Sequence, residues 1–326
     1  FSNTTINGLS TFYFQNFKEY DRNYQSIQYI LVKGQKAIIF QELRTGFIPI
    51  NQQITLAGDG KTSLQLSQTL LNNINYYEYA GGIGKNPESI EIGLIGEYFI
   101  DYKNSNICRL SGDGVTSISD KLCNTLFINQ FNKYKAVGVP PKVYTSYDRN
   151  RDTLIIAFSP ASDGSFLTVE FHDGSEQETK RWTSRFSYAP DYMGAAFTDV
   201  YSWKNGLAYK HGVLVDSKGV GIYNNFYGVQ YPSQLRMVFN NQPEVNKSFM
   251  NVAVQSDSIW TWDNIVTTSN QTSRLPAAAF NLDDGYNKSE DIYYADLLCD
   301  TSNGGSLVDG NDLKGNKLFA TLTSTS

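Results

Sequence analysis

Regular alternation of apolar and polar positions begins at Ile27. The run IQYILVKGQKAIIFQELRTGFIPI (27–50) sets Val, Ile and Phe at alternate or consecutive positions. Lys33-Gly34 and Arg44-Thr45-Gly46 break it, so it predicts strand, turn, strand, turn, strand. Before it, Phe12, Phe14, Phe17, Tyr20 and Tyr24 alternate with polar residues without a closed pattern. Residues 1–27 read as an N-terminal arm or a strand completing an upstream domain.

The pattern repeats. LAGDGKTS (56–63) recurs as LSGDGVTS (110–117), with Asp59 and Asp113 separated by 54 residues. ASDGSFLTVEF gives an echo at Asp163, and VDSKGV a fainter one at Asp216. Each marker follows a hairpin-like stretch: ELRTGFI, EYFIDYKNSNICRL, VYTSYDRNRDTLIIAF and VYSWKNGLAYKH. A unit of about 50 residues built of short strands is the size of a β-propeller blade. Residues 28–222 are therefore expected to hold four such blades. Closed propellers have about 4 to 8 blades. Because the chain opens on Phe1 rather than Met, further blades are expected upstream or from a separate piece.

Two inserts interrupt the strands. TSLQLSQTLLNNINYY (62–77) fits strand or helix. SISDKLCNTLFINQFNKYK (117–135) fits a helix capped by Ser119, with Leu122, Leu126, Phe127, Phe131 and Tyr134 on one face to pack between blades. The stretch Arg181–Gly212 holds Trp182, Trp203 and four tyrosines. In it Lys204-Asn205-Gly206 marks a tight hairpin, since a two-residue turn needs positive φ at both central residues. It is the fourth hairpin and the strand leading into it, with Trp182, Tyr188 and Tyr192 expected to be buried. Beyond residue 222, runs such as LRMVFN, KSFMNVAVQS, IWTWD and NKLFATLTS alternate with Asn/Gly/Pro turns. Residues 223–326 are expected to form a β-sandwich-like domain.

Composition narrows the function. Of 326 residues, 14% are aromatic and only 18% charged, and the formal net charge is −5. That balance argues against wrapping nucleic acid through a basic surface. No run of about 18 apolar residues is present and no signal peptide is visible. Cys108, Cys123 and Cys299 are widely spaced and lack a CxxC or a histidine cluster, so they read as buried free thiols.

Candidate chemistry is sparse. The Asp-Gly pairs stand without the further carboxylates a calcium site needs, and turn chemistry accounts for them. GGIGK (81–85) lacks the spacing of a phosphate loop, and Asn86-Pro87 follows at once. His172 and His211 sit at strand-to-turn junctions without a nucleophile elbow. Asp101, Asp113 and Asp148 are the acids that a propeller funnel could bring together for glycoside hydrolysis. Trp260 and Trp262 would suit a sugar platform, with core packing the commoner use. Asn3, Asn246, Asn270 and Asn287 stand in N-x-[ST] sequons, unremarkable in so Asn-rich a chain. No catalytic residue, cofactor or metal is expected.

PESIEIGLIGEYFIDYKNSNICRLSGDGVTSIS (87–119), RWTSRFSYAPDYM (181–193), NNFYGVQYPSQLRMVFNNQPEVNKSFMNV (224–252) and DIYYADLLCDTSNGGSLVDGNDLKGNKLFATL (291–322) together resemble virion tail proteins of crAss-like and related Bacteroidetes phages. The resemblance implies the carboxy-terminal portion of a tail muzzle or nozzle protein, at the distal end of a short tail through which DNA leaves. It implies partners as well: other copies in a six-fold ring, other tail proteins, an upstream portion of the same polypeptide, and DNA in passage. The alternative from the residues alone is a secreted or surface propeller that binds or hydrolyses glycans, or a host-adhesion module.

Overall fold

The computed structural model describes residues 19–56, 62–71, 73–78, 81–120, 123–174, 180–215, 217–219, 222–256, 260–268, 287–289, 292–297 and 313–324. The chain divides into two compact units, Phe1–Val220 and Gly221–Ser326. Both are built mainly of short antiparallel strands.

In the first unit the strands form successive meanders. The first sheet runs β1 (Ile27–Lys33), β2 (Lys36–Gln41), β3 (Thr45–Leu56) and β4 (Thr62–Leu71), with β5 (Asn75–Tyr76) also paired to β3. The second runs β6 (Glu91–Ile92), β7 (Glu97–Asp101), β8 (Asn106–Ser111) and β9 (Gly114–Ser117). After helix α1 (Asn124–Ala136) comes the third, β10 (Val143–Asp148), β11 (Thr153–Phe158), β12 (Leu167–His172) and β13 (Arg181–Phe186). The fourth holds β14 (Tyr192–Ala196), β15 (Asp199–Lys204) and β16 (Leu207–Lys210). In each, apart from the β5–β3 pair, neighbours in the sheet are neighbours in the chain. These are short antiparallel meanders. No sheet closes on itself among the described residues, and they do not establish a propeller.

Successive sheets stack face to face. Ile38 and Phe40 of the first meet Phe99, Cys108 and Leu110 of the second, with the Phe40 and Phe99 rings 5.2 Å apart. The opposite face of the second, Tyr98, Ile100 and Ile107, packs on Tyr147, Leu154, Ile156, Val169 and Phe171 of the third. A sheet covered on both faces has no solvent side to populate with polar residues. This is why EYFID in β7 is buried at every position and lacks two-residue alternation. Between third and fourth sheets, the Tyr144 and Tyr192 rings meet edge to face at 5.5 Å, and Thr168 donates to the Tyr188 carbonyl.

Helix α1 starts later than its sequence implied. Cys123 stands at the N-cap and Asn124 opens the helix. Ser119 does not cap it: its buried hydroxyl instead accepts from the Ile107 amide at 3.0 Å, closing the β8–β9 hairpin. Phe127, Phe131 and Tyr134, one helical face, fill the core between the second and third sheets, whereas Leu126 is exposed. Leu122 lies outside the described residues. Lys133 and Lys135 in the last turn tie the helix to Ser165 and Ser105 at 2.6 and 2.7 Å.

Three further expectations resolve. The insert at 62–77 is strand, as β4 and β5. The markers are not all in phase: Asp113 falls between the third and fourth strands of its sheet, but Asp163 falls between the second and third; Asp59 lies outside the described residues. In the third sheet the equivalent connection is the one between β12 and β13, so Asp163 marks a different turn from Asp113. Asp216 lies outside the described residues. Tyr188 is buried and Trp182 partly so, against Phe127 and Phe171. Tyr192 is 47% exposed, because it stands on the face of the fourth sheet away from buried Met193, Ser202 and Val200.

The second unit opens with the hairpin β17 (Asn225–Phe226) and β18 (Val229–Gln230). Its other strands are β19 (Gln234–Phe239), β20 (Lys247–Phe249), β21 (Asn251–Gln255), β22 (Trp260–Thr267), β23 (Asn287–Ser289), β24 (Ile292–Asp296), β25 (Leu313–Gly315) and β26 (Leu318–Ser324). They pair in small antiparallel sheets, β19–β26–β22, β20–β25 and β21–β24–β23. Val252, Trp262, Ile265, Tyr293, Leu297, Leu313, Leu318, Ala320 and Leu322 make one core.

Candidate functional site

The glycine-rich segment 81–85 is a clamp. A Cβ on Gly81 would lie 2.1 Å from an Asp101 carboxylate oxygen, and one on Gly82 would lie 2.3 Å from the Glu42 carbonyl carbon. Gly84 has φ +59. Only glycine lets the backbone run this close to both neighbours. Gly81 donates to Asp101 at 2.7 Å and Gly84 to the Glu42 carbonyl at 3.0 Å, while Tyr102 donates to the Gly82 carbonyl at 3.0 Å. The segment thus bridges first and second sheets, with Ile83 buried between them. A salt bridge from Lys33 Nζ to Glu97 at 2.6 Å joins the same sheets.

The three acids weighed for hydrolysis occupy turns of separate hairpins. Asp101 is buried, holding the Gly81 amide and, at 3.0 and 2.7 Å, the backbone and side chain of Asn104. Asp148 accepts from the Asn150 amide at 2.9 Å in the β10–β11 turn. Asp113 lies exposed in the two-residue β8–β9 turn. Each does local turn work in its own hairpin. Among the described residues no group of three His, Cys, Asp or Glu side chains could hold a metal ion. No described helix is long and apolar enough to cross a membrane.

His211 sits just after β16. Burial pulls its imidazole down to about 4. Its Nε2 is 2.6 Å from the Ser202 hydroxyl and its ring lies 5.0 Å from that of Tyr188. It holds the end of β16 against β15, where its amide donates to the Val200 carbonyl at 2.8 Å. His172 ends β12 opposite Arg181. Cys108 and Cys123 are free thiols; burial pushes Cys108 far up, with Asp101 and Asp120 adding to it, so it stays protonated. Cys299, Asn3 and Asn270 lie outside the described residues. Trp260 and Trp262 belong to the second unit's core, Trp262 fully buried, so neither forms an open sugar platform.

What remains for function is surface. Phe197, at the tip of the β14–β15 hairpin, is 96% exposed with φ 57, a backbone region that bulky residues rarely adopt. Asn150 holds that tip through a 3.1 Å bond to the Thr198 carbonyl. In the second unit Val238, Phe319 and Val266 are directly opposed across β19, β26 and β22. Leu318, Ala320 and Leu322 face the core, so this row lies on the sheet's other face, with Val238 55% and Phe319 41% exposed. Leu235 and Phe239 are also exposed on edge strand β19. The sequence carried this signal: LRMVFN is apolar at positions of both parities, which a strand with one solvent face would not be.

The comparisons with known proteins bear on the same unit. No curated protein matches the chain. Residues 221–300 match the family model of the Crassvirus muzzle protein C-terminal domain. The match begins where the second unit begins, at residue 221. The resemblance read from the sequence and this match agree, and they support the chain as a carboxy-terminal portion of a crAss-like phage muzzle protein, a component of the virion.

Proposed function

We propose that this chain builds part of the tail muzzle, or nozzle, at the distal end of a short phage tail, where copies assemble in a ring that forms or closes the channel for genome ejection. The observation that carries the reading is the muzzle-domain match over residues 221–300. The surface supports it. Apolar side chains stand exposed on a regular sheet in the second unit and on a hairpin tip in the first, which suits subunit contacts. A net charge of −5 with few Lys and Arg keeps phosphate contacts scarce, so passing DNA does not adhere. The face-to-face meanders of the first unit are the blades of a propeller that further sheets, from an upstream portion or a separate piece, complete. Other tail proteins adjoin the ring.

Two measurements test this. Imaging of intact particles by electron microscopy places the chain at the distal tail tip; density for it elsewhere in the virion sinks the nozzle assignment. Mass measurement of the purified chain at micromolar concentration gives a closed oligomer, six-fold by analogy with short-tail nozzles. A stable monomer there removes the ring.

A further inference from the structure

Three aromatic rings stand together where the third and fourth sheets meet, and no core accounts for them. Tyr192 and Trp203 are directly opposed across β14 and β15, with ring centroids 5.5 Å apart. Tyr144, on the first strand of the third sheet, meets the Tyr192 ring edge to face. Rings placed for packing would be covered, but Tyr192 is 47% and Trp203 38% exposed. The next residue in their cross-strand row is Ala208, itself exposed and too short to cover the indole. Charged side chains flank the rings in pairs. Lys204 Nζ is 2.9 Å from Asp191, which also accepts from the Asn205 amide at 2.8 Å and so fixes the turn beside Trp203. Glu88 pairs with Lys142 at 3.5 Å. Burial raises the Tyr144 phenol, and Glu88 and Asp191 add to it, so the hydroxyl stays protonated as a donor.

We propose that Tyr144, Tyr192 and Trp203 form a binding platform for a neutral glycan, with the Glu88–Lys142 and Asp191–Lys204 pairs hydrogen-bonding its hydroxyls. A sugar ring is amphipathic in the same way as this surface. Its C–H face lies on an aromatic ring, and its hydroxyls need donors and acceptors beside that ring. The core of a protein–protein contact is depleted in charge, whereas two ion pairs stand beside these rings. Each flanking ammonium already has its carboxylate, which removes the positive potential that nucleic acid or an anionic lipid surface would need. The Tyr192 and Trp203 planes are inclined at 57°, so sugars stacked on both are turned relative to each other. A bent or coiled chain fits that better than a flat ribbon. The platform needs neither a ring nor a channel, so it stands or falls apart from the nozzle assignment.

Affinity electrophoresis of the full chain tests this, in gels carrying glycogen, mannan, xylan or galactomannan as neutral probes and alginate as an anionic one. A neutral glycan is expected to retard the wild type, and raised salt leaves the retardation unchanged because no net charge drives it. Trp203→Ala and Tyr192→Ala each weaken binding by about tenfold or more, while Phe197→Asn, on the hairpin tip, binds as wild type does. Trp203→Phe guards against a variant that fails to fold. It keeps part of the binding but loses the change in tryptophan fluorescence that the glycan produces. Retardation by none of the neutral glycans overturns the platform. So does binding that Trp203→Ala and Trp203→Phe leave intact, or that alginate alone supports. A smaller assembly mass in Trp203→Ala, with no glycan bound by the wild type, assigns the rings to a contact between copies instead.

Discussion

A methyl group on Gly82 would sit 2.3 Å from the Glu42 carbonyl carbon and 2.4 Å from the Leu43 amide nitrogen, both backbone atoms that no rotamer change can move. Gly82→Ala must push the first two sheets apart, and a destabilisation of about 3 kcal/mol is expected by chemical denaturation. Gly112→Ala, where nothing lies within 4 Å, is the control and stays within about 0.5 kcal/mol. Phe197 makes the reverse case. At 96% exposure it has almost no packing to lose, and its φ of 57 suits asparagine better than phenylalanine. Phe197→Asn is expected to raise stability by up to about 1 kcal/mol; a loss of that size would show that the ring packs on something. His211 gives the fold a pH dependence. Its folded pKa lies near 4, below the ordinary histidine value of 6.5, so the neutral ring is worth most above pH 6.5. That stability disappears as pH falls toward 4, by about 3 kcal/mol at most. His211→Gln flattens this limb, which denaturant midpoints between pH 4 and 7 read directly.

At the scale of elements, core residues and exposed ones separate cleanly on α1. Phe127 and Phe131 meet Trp182 and Phe158 at ring distances of 4.7 and 5.2 Å. Phe131→Ala is expected to cost about 3–5 kcal/mol, whereas exposed Leu126→Ala changes stability by less than about 0.5 kcal/mol. The same helix shows what a sequence can carry. Its body was legible because Phe127, Phe131 and Tyr134 recur at helical spacing, and its end because of Lys133 and Lys135. Its start was not, since Ser119 satisfies the Ile107 amide of the earlier strand β8, a non-local claim on a local capping residue. Hairpin β15–β16 was legible for a local reason: Asn205 and Gly206 have φ 51 and 78, the geometry that pair favours. The repeat was half legible. Turn residues mark hairpins without saying which strands they join, so Asp163 passed for a third mark although the β12–β13 connection holds that place. The contact between the second and third sheets was invisible for a further reason. Tyr98 and Arg109 are brought onto Asp173 by sheet stacking, and no spacing in the chain encodes that.

For the whole molecule, the question is which surface assembles. On the sheet β19–β26–β22 both faces carry apolar side chains, but only one meets the core. Met237, Leu318, Ala320 and Leu322 fill the inner side, while Val238, Phe319 and Val266 form an outer row. A sheet face left to water needs no such row. Glutamine at Val238 and Phe319 together leaves the inner side untouched, so the second unit should keep its unfolding transition within about 0.5 kcal/mol. If this face joins copies in the ring, burying two glutamines there without partners costs each contact about 2–4 kcal/mol, or roughly 30- to 1,000-fold in affinity. The double variant then sediments as a folded monomer at concentrations where the wild type is a ring. Normal assembly by the double variant would move the contact elsewhere, and the Phe197 tip would be the next surface to substitute. A double variant that unfolds would instead show that the outer row belongs to the fold.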